Sequence, residues 1–287
     1  MEYLHVFESE ADYNTARSND YKEPWVSATN MGVGDSTSSY RVNYNKSEYE
    51  KLLETPITFE ITSAGNILWK ANNSAYTVTL EYSKDSGQNW TQITSTRGGT
   101  SISVSTGETV QFRCGTDGGY DTMSSGSPRY NTFSGTTAGF KVKGNIMSLL
   151  SKNNFATIDT LQSAYTFYSL FESCTGLTDA SKLILPATTL ADGCYKFMFD
   201  GCRSLTTAPE LPATTLASQC YSSMFRNCTS LNYIKAMFTT TPSNSYTRSW
   251  VSGVASSGTF VKNSAATWDV TGENGVPTGW TVETATN

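Results

Sequence analysis

Histidine is almost absent. The 287 residues contain one, His5, beside the N-terminus, so a His-based triad, a three-His zinc site or a His general base would hang on that single residue. Charge is also scarce, at 16% of residues against about 25% in ordinary globular chains. The 20 basic and 25 acidic residues give a net charge of −5 and a pI near 5.0. That leaves no basic excess to neutralise a phosphate backbone, which argues against nucleic-acid binding. The sequence lacks the run of about 18 apolar residues that a membrane-spanning helix needs, so no membrane insertion is expected. The opening MEYLHVFESE is acidic and has no apolar stretch of the kind a secretory signal uses. Neither a C-x-x-C pair nor a GxGxxG or GxxxxGK[ST] loop occurs, which removes zinc ribbons, thioredoxin-type sites and phosphate loops. These absences lead us to expect no catalytic residue, no cofactor and no metal.

Ser and Thr fill the space that charge leaves, and aromatics reach 12%, too many for a disordered chain. Thr and Tyr pack well on a half-solvated pleat, so the expected fold class is mainly β with short helices. Residues 1–54 combine an apolar strand LHVF (4–7), a helical stretch around Glu8–Ser18, an EPWVS turn (23–27), a Gly/Ser-rich loop (31–39) and a strand RVNYNK (41–46). Their aromatics stand among few aliphatics, without the alternation of a self-sufficient sheet. We therefore expect an attachment or oligomerisation segment, with Val6, Phe7, Tyr21 and Trp25 at an intermolecular contact of a homo-oligomer. The other arrangement open to them is packing on the β domain of their own chain.

Residues 55–146 carry turn signals about every ten residues between strand candidates ITFEIT (57–62), TVTLEYS (77–83), WTQIT (90–94), TVQFRC (109–114) and GFKVKG (139–144). Thr77, Thr79 and Glu81 alternate with Val78, Leu80 and Tyr82, the period-2 pattern of a strand buried on one face. A β-sandwich of immunoglobulin or fibronectin type III character is expected. Within it, Ser83 to Trp90 (SKDSGQNW) matches the S-x-D-x-G-x-x-W Asp-box of sialidase propellers, which would motivate a carbohydrate-active enzyme. Sialidases carry several such boxes and this chain has one, so the box reads as a hairpin turn built on Asp85 and Gly87.

The most informative region is 165–242, where the sequence repeats. ILPATTLADGCYKFMFDGC (184–202) returns as ELPATTLASQCYSSMFRNC (210–228), and partial copies flank these two. Phe171, Phe199 and Phe225 correspond, as do Cys174, Cys202 and Cys228, and Leu177, Leu205 and Leu231. Self-similarity at this period signals a solenoid. In each unit LPATTLA is expected to start a short helix, with Thr188 or Thr189 as N-cap. Leu190, Cys194 and Met198 (Leu216, Cys220 and Met224 in the second copy) would form its buried face at i, i+4, i+8. Gly201 and Asn227 would close it in the left-handed conformation. The Cys columns read as small buried hydrophobes with free thiols; disulfides are a second arrangement and a zinc site a third.

LPATTLA, CYxxMF and C-x-S-L resemble the BspA-like leucine-rich repeats of gut Bacteroidales surface proteins and of phages infecting those bacteria. The resemblance extends through GTFVKNSAATWDVTGENGVPTGWTV (258–282) and covers roughly 145–287. It implies a short leucine-rich-repeat solenoid (147–242) and a C-terminal β cap (243–287), which follow the N-terminal anchor (1–54) and the β-sandwich (55–146) in series. It also implies a non-enzymatic adhesive or structural role, and an adhesin-like solenoid without an export signal leads us to expect a virion protein at the virion surface: a head or tail fibre, or a capsid decoration. Such a protein would contact other virion proteins or the capsid surface and display a binding module toward host-surface glycans or proteins. The alternative is a bacterial cell-surface adhesin, with a carbohydrate-active enzyme third. Positions that differ between copies are expected to face solvent and supply contacts: Asp192/Ser218, Lys196/Ser222, Asp200/Arg226, Arg203 (Thr229 in the second copy) and Phe197, which aligns with Ser223.

Overall fold

The computed structural model describes residues 47–115 and 129–285. The chain divides into two compact units, Met1–Lys51 and Leu52–Asn287. The expected contacts Val6, Phe7, Tyr21 and Trp25 lie outside the described residues. The one α-helix among those described, α1 (Glu48–Leu53), starts with a capping box. The Glu50 N–H donates to Ser47 Oγ, and the Ser47 N–H donates to the Glu50 carboxylate. The rest is mainly β.

Nine strands follow: β1 (Ile57–Ser63), β2 (Gly65–Ala71), β3 (Thr79–Ser83), β4 (Thr91–Thr94), β5 (Thr100–Val104), β6 (Thr109–Cys114), β7 (Asn131–Thr132), β8 (Gly139–Asn145) and β9 (Leu177–Ile184). One sheet runs β4-β3-β6-β1-β8-β9 and another β5-β2-β7. Phe59, Phe112, Phe133 and Phe140 are fully buried; Phe59 stacks on Phe140 at 4.5 Å and meets Phe133 edge-on at 4.9 Å. All five expected strands form. The additional strands β2 and β5 also alternate: Ile67, Trp69 and Ala71 are buried in one, Ile102 and Val104 in the other. Trp69 Nε1 keeps a partner inside by donating to the Val78 carbonyl.

Glu81 departs from the expected alternation. It is buried rather than solvent-facing, because Arg113 Nε (2.7 Å) and Lys152 Nζ (2.9 Å) reach its two carboxylate oxygens. Burial works to raise its pKa, but the hydrogen bonds from Lys152 and Arg113 outweigh that and hold it below the ordinary glutamate value.

β8 pairs antiparallel with β1 and parallel with β9, so it links the antiparallel strands to the parallel ladder of the repeat region. The parallel ladder continues through single bridges from Asp179 to Thr207 and from Thr207 to Tyr233. It then runs through β10 (Tyr233–Ala236), β11 (Thr259–Lys262) and β12 (Thr281–Thr284).

Opposite these strands the repeats form four rows of tight turns, at 163–174, 191–202, 217–228 and 243–254. The expected helices starting at Thr188 or Thr189 do not form. In the second row the amides of Cys194, Lys196, Met198, Asp200 and Cys202 each donate to the carbonyl three residues back. The intervening amides of Gly193, Tyr195, Phe197, Phe199 and Gly201 donate to the third row, at Ser218, Cys220, Ser222, Met224 and Arg226. Every fourth residue is left-handed: Gly193 (φ 60°), Phe197 (59°) and Gly201 (75°), then Gln219 (52°), Ser223 (53°) and Asn227 (60°). An α-helix cannot accommodate left-handed residues or give up alternate amides. The four-residue turn repeat places apolar side chains at i and i+4 just as a helix does, which is why the pattern suggested one. Gly201 and Asn227 do take the expected left-handed conformation.

The apolar side of each row fills the space under the strands. Phe133, Phe171, Phe199 and Phe225 form a column with centroids 5.8, 5.4 and 5.6 Å apart, beside a second column of Phe167, Tyr195 and Tyr221. At the far end Trp250, Phe260, Phe238 and Trp268 pack together, with Trp268 stacked on Phe238 at 5.3 Å. The buried core is one cluster from Ile57 to Trp280.

Candidate functional site

The turn side of the rows gathers chemistry that the repeat frame alone does not require. Tyr130, Tyr165, Tyr168 and Phe197 are half-buried. Tyr168 lies at the centre of this group, 5.1 Å from Tyr130, 5.8 Å from Tyr165 and 5.4 Å from Phe197, with the last two contacts edge-on. Arg226 and Lys196 stand over the Phe197 ring at 5.1 and 5.4 Å, within cation–π range.

Beside the rings, Arg226 grips Asp200 from the next row through both carboxylate oxygens, with Nε at 3.1 Å and the second nitrogen on Oδ2. This bond raises the Arg226 pKa above its ordinary value. Lys196 Nζ donates to Gln219 at 2.6 Å; burial, with Arg248 nearby, pulls its pKa down. Glu172 occupies the row position of Asp200 and accepts from the Tyr130 hydroxyl at 3.5 Å. Its pKa is raised, chiefly by burial and also by the Asp200 carboxylate. Burial pushes the Tyr168 phenol up to about 12.

Of the residues expected at contacts, Lys196, Phe197, Asp200 and Arg226 come together here. Asp192, Arg203 and Ser218 are exposed but stand outside the cluster of contacts around Phe197. Expectations of exposure fail at Asp200, Ser222 and Ser223. Asp200 is buried because the residue aligned with it, Arg226, is its ion-pair partner in the next row; the difference between copies reflects pairing, not tolerance. Ser222 and Ser223 are buried beneath the fourth row, where both hydroxyls donate to the Arg248 carbonyl. Sequence reasoning missed Tyr130, Tyr165, Tyr168 and Glu172. Extending the frame 28 residues back from Gly193, Lys196 and Asp200 would have reached the last three.

The row cysteines, Cys174, Cys194, Cys202, Cys220 and Cys228, are buried free thiols. Cys174, Cys202 and Cys228 donate to the carbonyls of Phe133, Phe171 and Phe199 at 3.3, 3.0 and 3.0 Å, so the last two tie their rows to the row before and Cys174 ties the first row to the segment after β7. Burial pushes Cys220 up to about 12 and the other row thiols higher still. Such thiols are protonated and unreactive. Among the described residues, no group of three or more His, Cys, Asp or Glu is placed to hold a metal, and no helix is long and apolar enough to cross a membrane.

The Asp-box is a hairpin turn between β3 and β4. Asp85 accepts from the Asn89 amide (2.9 Å), Asn89 Nδ2 (2.6 Å) and Ser83 Oγ (2.7 Å); these bonds, led by the Asn89 amide, hold its pKa at about 2. Trp90 Nε1 donates to the Gly87 carbonyl, and Arg113 covers the Trp90 ring at 3.8 Å. The carboxylate is occupied in holding the turn.

Comparison with known proteins returns nothing: no family model, no curated protein and no solved structure matches the chain.

Proposed function

We propose that this chain is a non-enzymatic structural and adhesive protein of a phage particle, a head or tail fibre or a capsid decoration. In this reading an immunoglobulin- or fibronectin-like sandwich carries a short BspA-like leucine-rich-repeat solenoid, and the turn side of the rows is the binding face. Residues 1–54 attach the chain to other virion proteins or the capsid surface and hold a homo-oligomer together. The observation that carries the proposal is the turn face itself. It presents four half-buried aromatic rings and a cross-row ion pair on a backbone fixed by hydrogen bonds from row to row. Rigid, pre-organised side chains of this kind suit recognition, because little order remains to be gained on binding.

Mass spectrometry of purified particles tests the reading. The chain should be a stoichiometric particle component, and deleting residues 1–46 should abolish its incorporation while the remainder keeps its melting transition. Absence from particles, with recovery at the bacterial cell surface, would decide for a cell-surface adhesin instead.

A further inference from the structure

Two aromatic residues of the turn face occupy backbone positions that suit them poorly. Phe197 has φ 59°, where the other rows place Ser169 (54°), Ser223 (53°) and Ser249 (49°). A bulky side chain in the left-handed region is a strained outlier, and this one gains no core burial in return, since Phe197 is only half-buried. Tyr165, also at φ 59°, stands where the following rows have Gly193 and Gln219. Its ring lies directly over Gly193, where a Cβ would come within 2.4 Å of the ring. The second row therefore keeps a glycine under the first row's tyrosine. Tyr168 bridges these two rings edge-on. Strain held at neighbouring surface positions points to a use outside folding.

We infer that the Tyr165–Tyr168–Phe197 surface, with Glu172 and the Asp200–Arg226 pair at its side, binds a neutral oligosaccharide. The inference rests on the proposed binding role of the turn face and names its ligand class. A sugar ring has an apolar C–H face, which suits partly exposed aromatic rings, and a rim of hydroxyls that both donate and accept. Glu172 supplies acceptor oxygens; the Arg226 guanidinium and the Asn227 amide, which reaches Asp200 at 3.5 Å, supply donors. Glu172 is desolvated and held by Tyr130 and Ser169, neutral hydrogen-bonding partners, so it gains from additional hydroxyl donors.

Other ligand classes fit less well. An anionic ligand would meet Glu172 while Arg226 is bonded to Asp200 and Lys196 to Gln219. A protein partner of standard size buries about 800 Å² per side around an apolar centre. The large exposed hydrophobics among the described residues are Tyr49 and Val282, and neither belongs to these rows.

The test uses the full chain on an array of neutral hexose and N-acetylhexosamine oligosaccharides, with sialylated and sulfated ones alongside. Phe197→Ser installs the residue the other three rows carry, Glu172→Gln removes the carboxylate charge, and Glu210→Gln, beside Lys235 at the strand side, is the control. Wild type and Glu210→Gln should bind at least one neutral oligosaccharide equally. Phe197→Ser should weaken that binding by about tenfold, the worth of one aromatic contact, without lowering the melting temperature, and Glu172→Gln should weaken it too. Binding of anionic glycans alone, no glycan binding, or undiminished binding by Phe197→Ser overturns the inference. Attachment of the same proteins to Bacteroidales cells separates the two levels. Attachment lost in Phe197→Ser without any glycan binding refutes the ligand class and keeps the binding face, whereas wild type that attaches to nothing refutes the face itself.

Discussion

The strands from Ile57 to Asn145 and the rows both bury phenylalanine, but they pack it by different rules. In the sheets, Phe59 is tilted by 58° and 63° against Phe112 and Phe133 yet lies 10° from parallel on Phe140, so tilted and stacked contacts meet at one ring. In the rows, Phe171, Phe199 and Phe225 lie within 12° of parallel at 5.4 and 5.6 Å. There the backbone decides. Hydrogen bonds between rows fix a spacing close to the strand separation of about 4.8 Å, and translation then sets each ring on its copy. Translation thus confines the rows to one of the two arrangements that ring quadrupoles favour, the offset stack, whereas a core assembled from distant strands mixes stacked and tilted contacts.

The largest effect should test whether these two packings form one core. Phe199→Ala removes a ring in contact on both sides and should cost about 3–5 kcal/mol, as should Phe59→Ala in β1. Because the buried cluster is continuous, both variants should shift a single urea transition; two separate transitions would divide the core. Next comes Glu81→Ala, which strands Arg113 and Lys152 and should cost about 2–3 kcal/mol, less than a fully buried pair because both cations retain some water contact. The Glu81 pKa is lower folded than unfolded, so its contribution is complete above the unfolded value and is lost as pH falls through the folded one. Acid titration of stability should therefore show the gap between wild type and Glu81→Gln closing in that range. Gly193→Ala, at φ 60° and against the Tyr165 ring, should cost about 1–2 kcal/mol. Gly201→Asn should change stability by less than about 0.5 kcal/mol, because Asn227 already fills the equivalent left-handed position one row on; a larger loss would mean that the rows are not interchangeable there.

The row register was legible because Phe171, Phe199 and Phe225 recur with their flanking cysteines, and translation carries such identity directly into contact. The conformation within a row was not legible. Cys194 and Met198 are four apart, which fits an α-helix and equally a turn repeating every four residues; only the partners of alternate amides, on the next row, distinguish them. Asp200 was misjudged for the same reason, since its partner Arg226 lies one repeat away and looks in alignment like a tolerated substitution. In β3, Glu81 broke the alternation because its ion pairs come from Arg113 and Lys152, far along the chain. The aromatic surface was partly visible through Phe197, while Tyr165 and Tyr168 fell in the flanking copy, where the repeat had drifted from its consensus.

The central claim is that the rows are turns held to one another, and one bond tests it directly. In the isotopically labelled, perdeuterated protein, scalar coupling across the hydrogen bond should connect the Tyr195 amide nitrogen to the Cys220 carbonyl carbon, matching the 3.0 Å contact between rows. Parallel couplings should run from Phe197 to Ser222 and from Phe199 to Met224. A coupling from Tyr195 to the Ala191 carbonyl, the helical partner four residues back, would contradict the account.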